Sequence, residues 1–182
     1  MLHDRDYEPD DLQVKVSELL IATSDASDGA IEHAVPEVLQ LLRERMKMDV
    51  VFVSEFVEGQ RVFRHVPPGQ TTLPVGGGDP LEESWCQRVV DGRMPQFVKD
   101  ASVHPATASL RHPFPIGTHL STPIVMEDGQ IYGTLCCFSH SVNPGTNERD
   151  LQNLRYTAQL TARKIERDRA ARRAVEMQKP TS

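Results

Sequence analysis

Apolar and polar positions alternate most clearly between Ile116 and Ser139. Leu120, Thr122, Ile124 and Met126 fall on one face of the first stretch, and Ile131, Gly133, Leu135 and Cys137 on one face of the second. Asp128-Gly129 separates the two runs and predicts a tight hairpin turn in which both central positions take positive φ. The hairpin is expected at the centre of a sheet. The residues from Asp49 to Phe56 and from Arg61 to Val66 are β-branched and aromatic and flank Val57-Glu58-Gly59-Gln60, which suits a loop between two strands. Met94 to Val98 reads as a further short strand, followed by a loop from Asp100 to Pro115 that is rich in His and Pro.

Helical spacing takes over elsewhere. Leu12, Val16, Leu19 and Leu20 predict a short amphipathic helix ended by the Ser24-Asp25-Ala26-Ser27-Asp28-Gly29 cluster. Val35, Val38, Leu39, Leu42 and Met46 predict a core-facing helix that Pro36 either kinks or enters in its first turn. Pro67-Pro68-Gly69 stops the second strand, and the stretch through Gly76-Gly77-Gly78 reads as a mobile loop over one end of the sheet. Asp79 is the expected N-cap of a helix with Pro80 in its first position and Glu82 closing a capping box. Leu81, Trp85, Cys86, Val89 and Val90 form its apolar stripe, and Asp91-Gly92 ends it. Thr146 is the expected cap of a last helix that carries Glu148 and Asp150 in its first turns and continues to about Met177. Leu151, Leu154, Ala158, Thr161 or Ala162, and Ile165 make its narrow seam, and the part beyond Ile165 is nearly all charged.

Several of these segments resemble a known family. Ser121-Thr122-Pro123-Ile124-Val125 followed by Ile131-Tyr132-Gly133-Thr134-Leu135 is similar to the last two core strands of a GAF domain, a family of small-molecule sensors. The passage from Trp85 to Pro95 (WCQRVVDGRMP) and the helix start Asp150-Leu151-Gln152-Asn153-Leu154 are similar to GAF modules of bacterial signalling proteins. The resemblance spans residues 25–165, leaving 1–24 as a tail with a short helix and 166–182 as a charged helical extension and tail. It implies an α+β sandwich: a central antiparallel sheet of five to six strands flanked by helices, with the N- and C-terminal helices packed together. It also implies a small molecule held between the sheet and the loops around the middle helices.

Composition narrows the partners. The 182 residues are 38% hydrophobic, enough for one domain with terminal extensions. A net charge of -6 argues against nucleic acid as a partner. No run approaches the roughly 18–20 apolar residues that span a bilayer, and the start MLHDRDYEPDD is acidic where a signal peptide is basic and then apolar. The expectation is therefore a cytoplasmic protein with no membrane partner. Of the three cysteines, Cys136 and Cys137 are adjacent in a strand and point to opposite faces, which does not suit a disulfide framework.

The candidate site is a concave surface lined by Trp85, Phe97, Arg111, His112, Phe114 and His119, where Arg111 or a histidine could meet an anion and the rings supply apolar contact. Phytochrome-like GAF domains attach a bilin through a cysteine commonly followed by histidine. No cysteine stands beside His112 in the corresponding Ser109–Phe114 loop. His104, His112 and His119 lie where a haem ligand could come from, but their spacing matches no compact metal motif, and no metal ligand is assigned. The signature of cyclic-nucleotide GAF domains is absent, and Gly76-Gly77-Gly78 lacks the Lys-Ser/Thr of a phosphate loop. The cofactor stays open, and Cys86, Cys136 and Cys137 read as small buried hydrophobes.

The reading is a non-catalytic sensory domain in bacterial signal transduction that binds a small molecule and signals through a homodimeric helical bundle to an output domain or protein. The dimer interface is expected at Leu12, Val16, Leu19, Leu154, Ala158 and Ile165, because neither narrow stripe has an evident partner within the domain. Two alternatives stand beside it. One is a dimerisation or docking module without a ligand, and the other is a thiol-based redox or methionine-sulfoxide reductase-like enzyme using Cys86.

Overall fold

The computed structural model describes residues 9–22, 30–108, 110, 112 and 114–180, the side chains of 9–11, 19–22 and 30–33 excepted. Strands β1 (Val50–Val57) and β2 (Gln60–His65) are joined through Glu58-Gly59, with φ of 49° and 75°. Two positive φ values in a two-residue connection match the twist of the strands they join. β3 (Gly78–Pro80), β4 (Phe97–Val98), β5 (His119–Val125) and β6 (Ile131–Phe138) complete an antiparallel sheet in the order β3-β2-β1-β6-β5-β4. Among the described residues four α-helices accompany it: α1 (Pro9–Ala22), α2 (Ala30–Met46), α3 (Trp85–Val90) and α4 (Glu148–Gln178). The six-stranded antiparallel sheet with flanking helices is the α+β sandwich that the sequence implied.

The pleat sorts the core into two layers. Val51, Val53, Leu120, Ile124, Leu135 and Cys137 face α1, α2 and α4, while Val50, Phe52, Cys136 and Phe138 face the other way, toward Phe63, Leu73 and Cys86. β1 and β6 lie at the centre because both of their faces are covered. Gly133 is required where they meet, since a Cβ there would run into the Ser54 carbonyl.

Four expectations need correction. Asp128 does not take positive φ; in the β5–β6 connection, residues 126–130, only Gly129 is left-handed (φ 84°), and Gly129 N donates to Met126 O at 2.9 Å. Gly76 to Gly78 are not a mobile loop. Gly76 N donates to Phe63 O, Phe63 N donates to Gly77 O, and Gly78 is part of edge strand β3. Asp79-Pro80 accordingly belongs to that strand and starts no helix; a 3-10 turn over Leu81–Glu83 follows, and Ser84 caps α3 by accepting from Gln87 N at 3.1 Å. Thr146 is buried, and Asn147 caps α4 in a box closed by Asp150.

The expected dimer stripe is also corrected. Leu12, Val16, Leu154, Ala158 and Ile165 are buried in one chain, where α1 and α4 pack on each other and on α2. Gln13 Nε2 donates to Asn153 Oδ1 at 3.2 Å, and Ser17 Oγ lies 2.7 Å from Tyr156 Oη, tying the same two helices together. These side chains cannot serve a second copy while the core is intact. Leu19 belongs to α1, but its side chain lies outside the described residues. Beyond Ile165, α4 keeps contact with the sheet and its β5–β6 connection through Glu166, which accepts from Glu127 N, and Arg169, which pairs with Glu55; residues 169–180 are exposed.

Gly133→Ala is expected to lower the free energy of urea unfolding by about 2 kcal/mol or more, because the β1 backbone has to move. A change below about 0.5 kcal/mol would contradict the close strand approach.

Candidate functional site

The sheet face away from α1, α2 and α4 holds a cluster of largely buried titratable groups, Arg61, Cys86, His119 and Cys136. Arg61 and Phe63 point to this face from β2, Phe52 from β1, Cys136 and Phe138 from β6, and His119 from β5. α3 lies across them, and its capped start directs Trp85 and Cys86 onto the sheet. The loop after β4 contributes His112, Phe114 and Ile116. All of these groups except Phe63 and Cys86 line a partly open cavity of about 100 Å³.

Arg61 organises this face. Its Nε donates to Asp79 Oδ1 at 2.8 Å and its Nη2 to Asp79 Oδ2, while its Nη1 donates to Cys86 Sγ at 3.3 Å. The guanidinium also lies 5.0 Å from the Phe63 ring centre and 5.7 Å from that of Phe52. Burial works against the Arg61 charge, but Cys86 and Asp79 outweigh it and raise its pKa above the ordinary arginine value.

The two buried thiols are driven apart. Burial pushes the Cys86 thiol up, yet the hydrogen bond from Cys136, the Arg61 charge and a contact with Thr134 prevail and lower it. Cys136, buried and beside the Cys86 sulfur, is raised. His119 Nε2 lies 3.3 Å from Cys136 Sγ, and burial together with the Arg61 charge lowers His119 to about 3, leaving it neutral near pH 7.

Proton counting then orients the histidine. With Cys86 as thiolate, both Arg61 and the Cys136 S–H donate to it, so His119 Nε2–H donates to Cys136 and Nδ1 keeps a lone pair. Neither His119 Nδ1 nor Trp85 Nε1 has a hydrogen-bond partner among the described residues, although both are buried and both residues line the cavity. The two rings lie 4.9 Å apart.

Four of the six expected site residues meet here. Trp85, His112, Phe114 and His119 line the cavity; the edge of His112 meets Trp85 at 5.4 Å, and His112 Nδ1 bonds the Phe114 carbonyl. Phe97 does not join them. It pairs with Leu120 in the β4–β5 ladder and packs on the helix-side core. Arg111 lies outside the described residues. His104 sits in the loop with Nδ1 accepting from Ala106 N at 3.1 Å, and among the described residues no group of three His, Cys, Asp or Glu is arranged to hold a metal.

Sequence reasoning missed Arg61, and it read Cys86 and Cys136 as small buried hydrophobes, with Cys86 reactive only in an alternative reading. A signal for Arg61 was present, since it shares a strand face with Phe63 and so points toward apolar neighbours. A wider groove of about 670 Å³ lies by α4 and β1, but its charges already pair with each other: Glu55 with Arg64 and Arg169, and Asp168 with Arg172.

The buried neutral histidine predicts an acid-sensitive fold. Below the ordinary value of 6.5 an unfolded His119 takes up a proton that the folded one declines until about 3, so stability is lost as pH falls through this window. His119→Asn should flatten the fall in unfolding free energy between these limits by an amount on the order of a few kcal/mol. An unchanged pH profile in the variant would show that His119 is not the group responsible.

The model of the GAF domain family matches residues 30–166. No curated protein matches in sequence. Among solved structures, the chain is similar to the GAF domain of a phosphoenolpyruvate-protein phosphotransferase from Coxiella burnetii, with 20% identity, a TM-score of 0.71, and coverage of 90% of this chain and 97% of that one. It is similar to a free methionine-R-sulfoxide reductase from Neisseria meningitidis in complex with its substrate, with 16% identity, a TM-score of 0.69, and coverage of 90% and 93%. The GAF domain of A. aeolicus nlh2, in an inactive state, shares 13% identity with a TM-score of 0.63 and coverage of 87% and 98%. At these identities the structures show a shared fold. No helix among the described residues is long and apolar enough to cross a membrane. By the family match over most of its length, the chain belongs to the GAF domain family.

Proposed function

We propose that the chain is a regulatory GAF domain that binds a compact small molecule in the cavity between α3 and the sheet and performs no chemistry on it. The observation that carries this reading is a pair of buried polar atoms, Trp85 Nε1 and His119 Nδ1, that have no partner among the described residues and lie in one aromatic-walled cavity. A buried polar group without a partner costs about 1–3 kcal/mol, and a ligand that completes both bonds recovers much of this. Trp85 can only donate, and His119 Nδ1 accepts. The ligand therefore offers an acceptor and a donor close together, on an apolar body that fits against Phe52, Phe114 and Phe138. The cavity is smaller than the roughly 300–1,000 Å³ of drug-sized sites, which favours a compact ligand.

A route to the output follows from the pleat. His119 and Cys136 face the cavity, and their chain neighbours Leu120 and Cys137 face the helical layer that includes α4. A ligand with unequal affinity for two positions of β5 and β6 would bias the packing of α4 by that difference. The exposed turns of α4 from Arg169 onward offer a surface for pairing of two copies or docking of an output domain.

Trp85 is the single tryptophan, so its emission reports on the cavity. Titration with benzamide, which carries a ring, a carbonyl acceptor and an N–H donor, is expected to change that emission saturably. Loss of one hydrogen bond in His119→Ala should weaken the response by about tenfold. Emission that does not respond to benzamide, or responds equally in the variant, would contradict the proposed ligand chemistry.

A further inference from the structure

Cys86 and Cys136 come from different elements, the first turn of α3 and the middle of β6, and lie in one core cluster at 0% and 1% exposure. Each sulfur has a polar partner of its own. Arg61 Nη1 donates to Cys86 Sγ at 3.3 Å, and His119 Nε2 lies 3.3 Å from Cys136 Sγ. A pair serving only as small hydrophobes would need neither partner. Cys136 also lines the cavity, so a reagent that enters it meets this sulfur. Cys137 faces the opposite layer and lies outside the cluster.

We infer that Cys86 and Cys136 form a peroxide-responsive thiol pair, in which a small hydroperoxide entering the cavity converts them to a disulfide that ties α3 to β6. The proton that the Cys136 thiol shares with Cys86 moves to Cys86, leaving Cys136 as the nucleophile, with His119 Nε2–H donating to it. The Cys136 sulfur attacks one peroxide oxygen; the O–O bond breaks, an S–OH bond forms, and the departing hydroxide takes the proton from Cys86 to become water. The Cys86 thiolate, held by Arg61, then attacks the Cys136 sulfur. The S–O bond breaks, the S–S bond forms, and hydroxide leaves. The pair loses two electrons and one hydrogen peroxide takes them up, so no further oxidant is needed. A dithiol reductant reverses the change.

The bond would remove the sulfur acceptor from Arg61 Nη1 and shift Trp85, the residue before Cys86, so oxidation would alter the cavity whether or not a ligand binds there. The inference therefore stands apart from the ligand reading.

The test treats the full, reduced chain with hydrogen peroxide, denatures it under thiol-blocking conditions, and maps the cysteines by mass spectrometry. The expected result is loss of two hydrogen masses, a Cys86–Cys136 linked peptide, one blocked thiol at Cys137, and recovery of all three thiols with dithiothreitol. Cys137→Ser should form the same bond at an unchanged rate, and Cys86→Ser should stop at a sulfenic acid on Cys136 that dimedone traps. Three blockable thiols after peroxide, a bond that includes Cys137, or oxidation in which Cys136 and Cys86 never become linked would each overturn the inference. The wild-type peptide map decides the matter even if Cys86→Ser fails to fold.

Discussion

A guanidinium does not go into a protein interior without partners, and Arg61 shows what has to be assembled around one. Asp79 meets it with two oxygens, the Cys86 sulfur with a third acceptor, and the Phe52 and Phe63 rings lie within cation–π range. Each partner belongs to a different part of the chain. Pairing with Asp79 holds the edge strand to its neighbour, and pairing with Cys86 holds a short helix over the sheet. The same positive charge draws the Cys86 thiol toward its ionised form and adds to the burial that keeps His119 neutral. Removing the charge would therefore undo several local arrangements at once, since a buried partner left without its counter-charge is costly.

The period of two in the strands divides the labour between the faces of one sheet. Cys136 and Cys137 are adjacent in the chain, yet one borders the cavity and the other packs among the helices. The sheet is thus a thin partition between a site and a long helix whose last turns are exposed. Close packing makes such a partition a poor absorber of movement, because displaced side chains on one face press on the backbone shared with the other. Gly133 shows how little slack exists, with the carbonyl of Ser54 occupying the place of its missing side chain.

Much of this architecture was legible in the sequence. The central hairpin, the core-facing helix after residue 30 and the final helix have long, regular apolar periods, and regular periods survive tertiary context. The misreadings came where a local signal competed with a distant partner. Asp79-Pro80 has the composition of a helix start, but Arg61, 18 residues earlier, claims the carboxylate, while Ser84 with Gln87 three residues later is the start signal that prevails. Thr146 lost its capping role to the next residue, whose side chain reaches the helix while that of Thr146 is buried. The stripes assigned to a second copy looked unsatisfied because a sequence does not display three helices stacked on one another. Of the site, the aromatic and histidine walls could be read from their neighbourhood. The Arg61–Cys86–Cys136–His119 chain could not, because it joins four elements by side chains whose burial follows from the register of the sheet.

The measurement that bears most directly on this account is the ultraviolet absorbance of thiolate as a function of pH, recorded for the wild-type chain and for Cys86→Ser. The account predicts a thiolate step in the wild type, absent from the variant, well below the ordinary cysteine value of about 8.5. Superimposable curves, with thiolate appearing only in the ordinary range or above it, would contradict the claim that Arg61 holds a buried thiolate at the centre of the site.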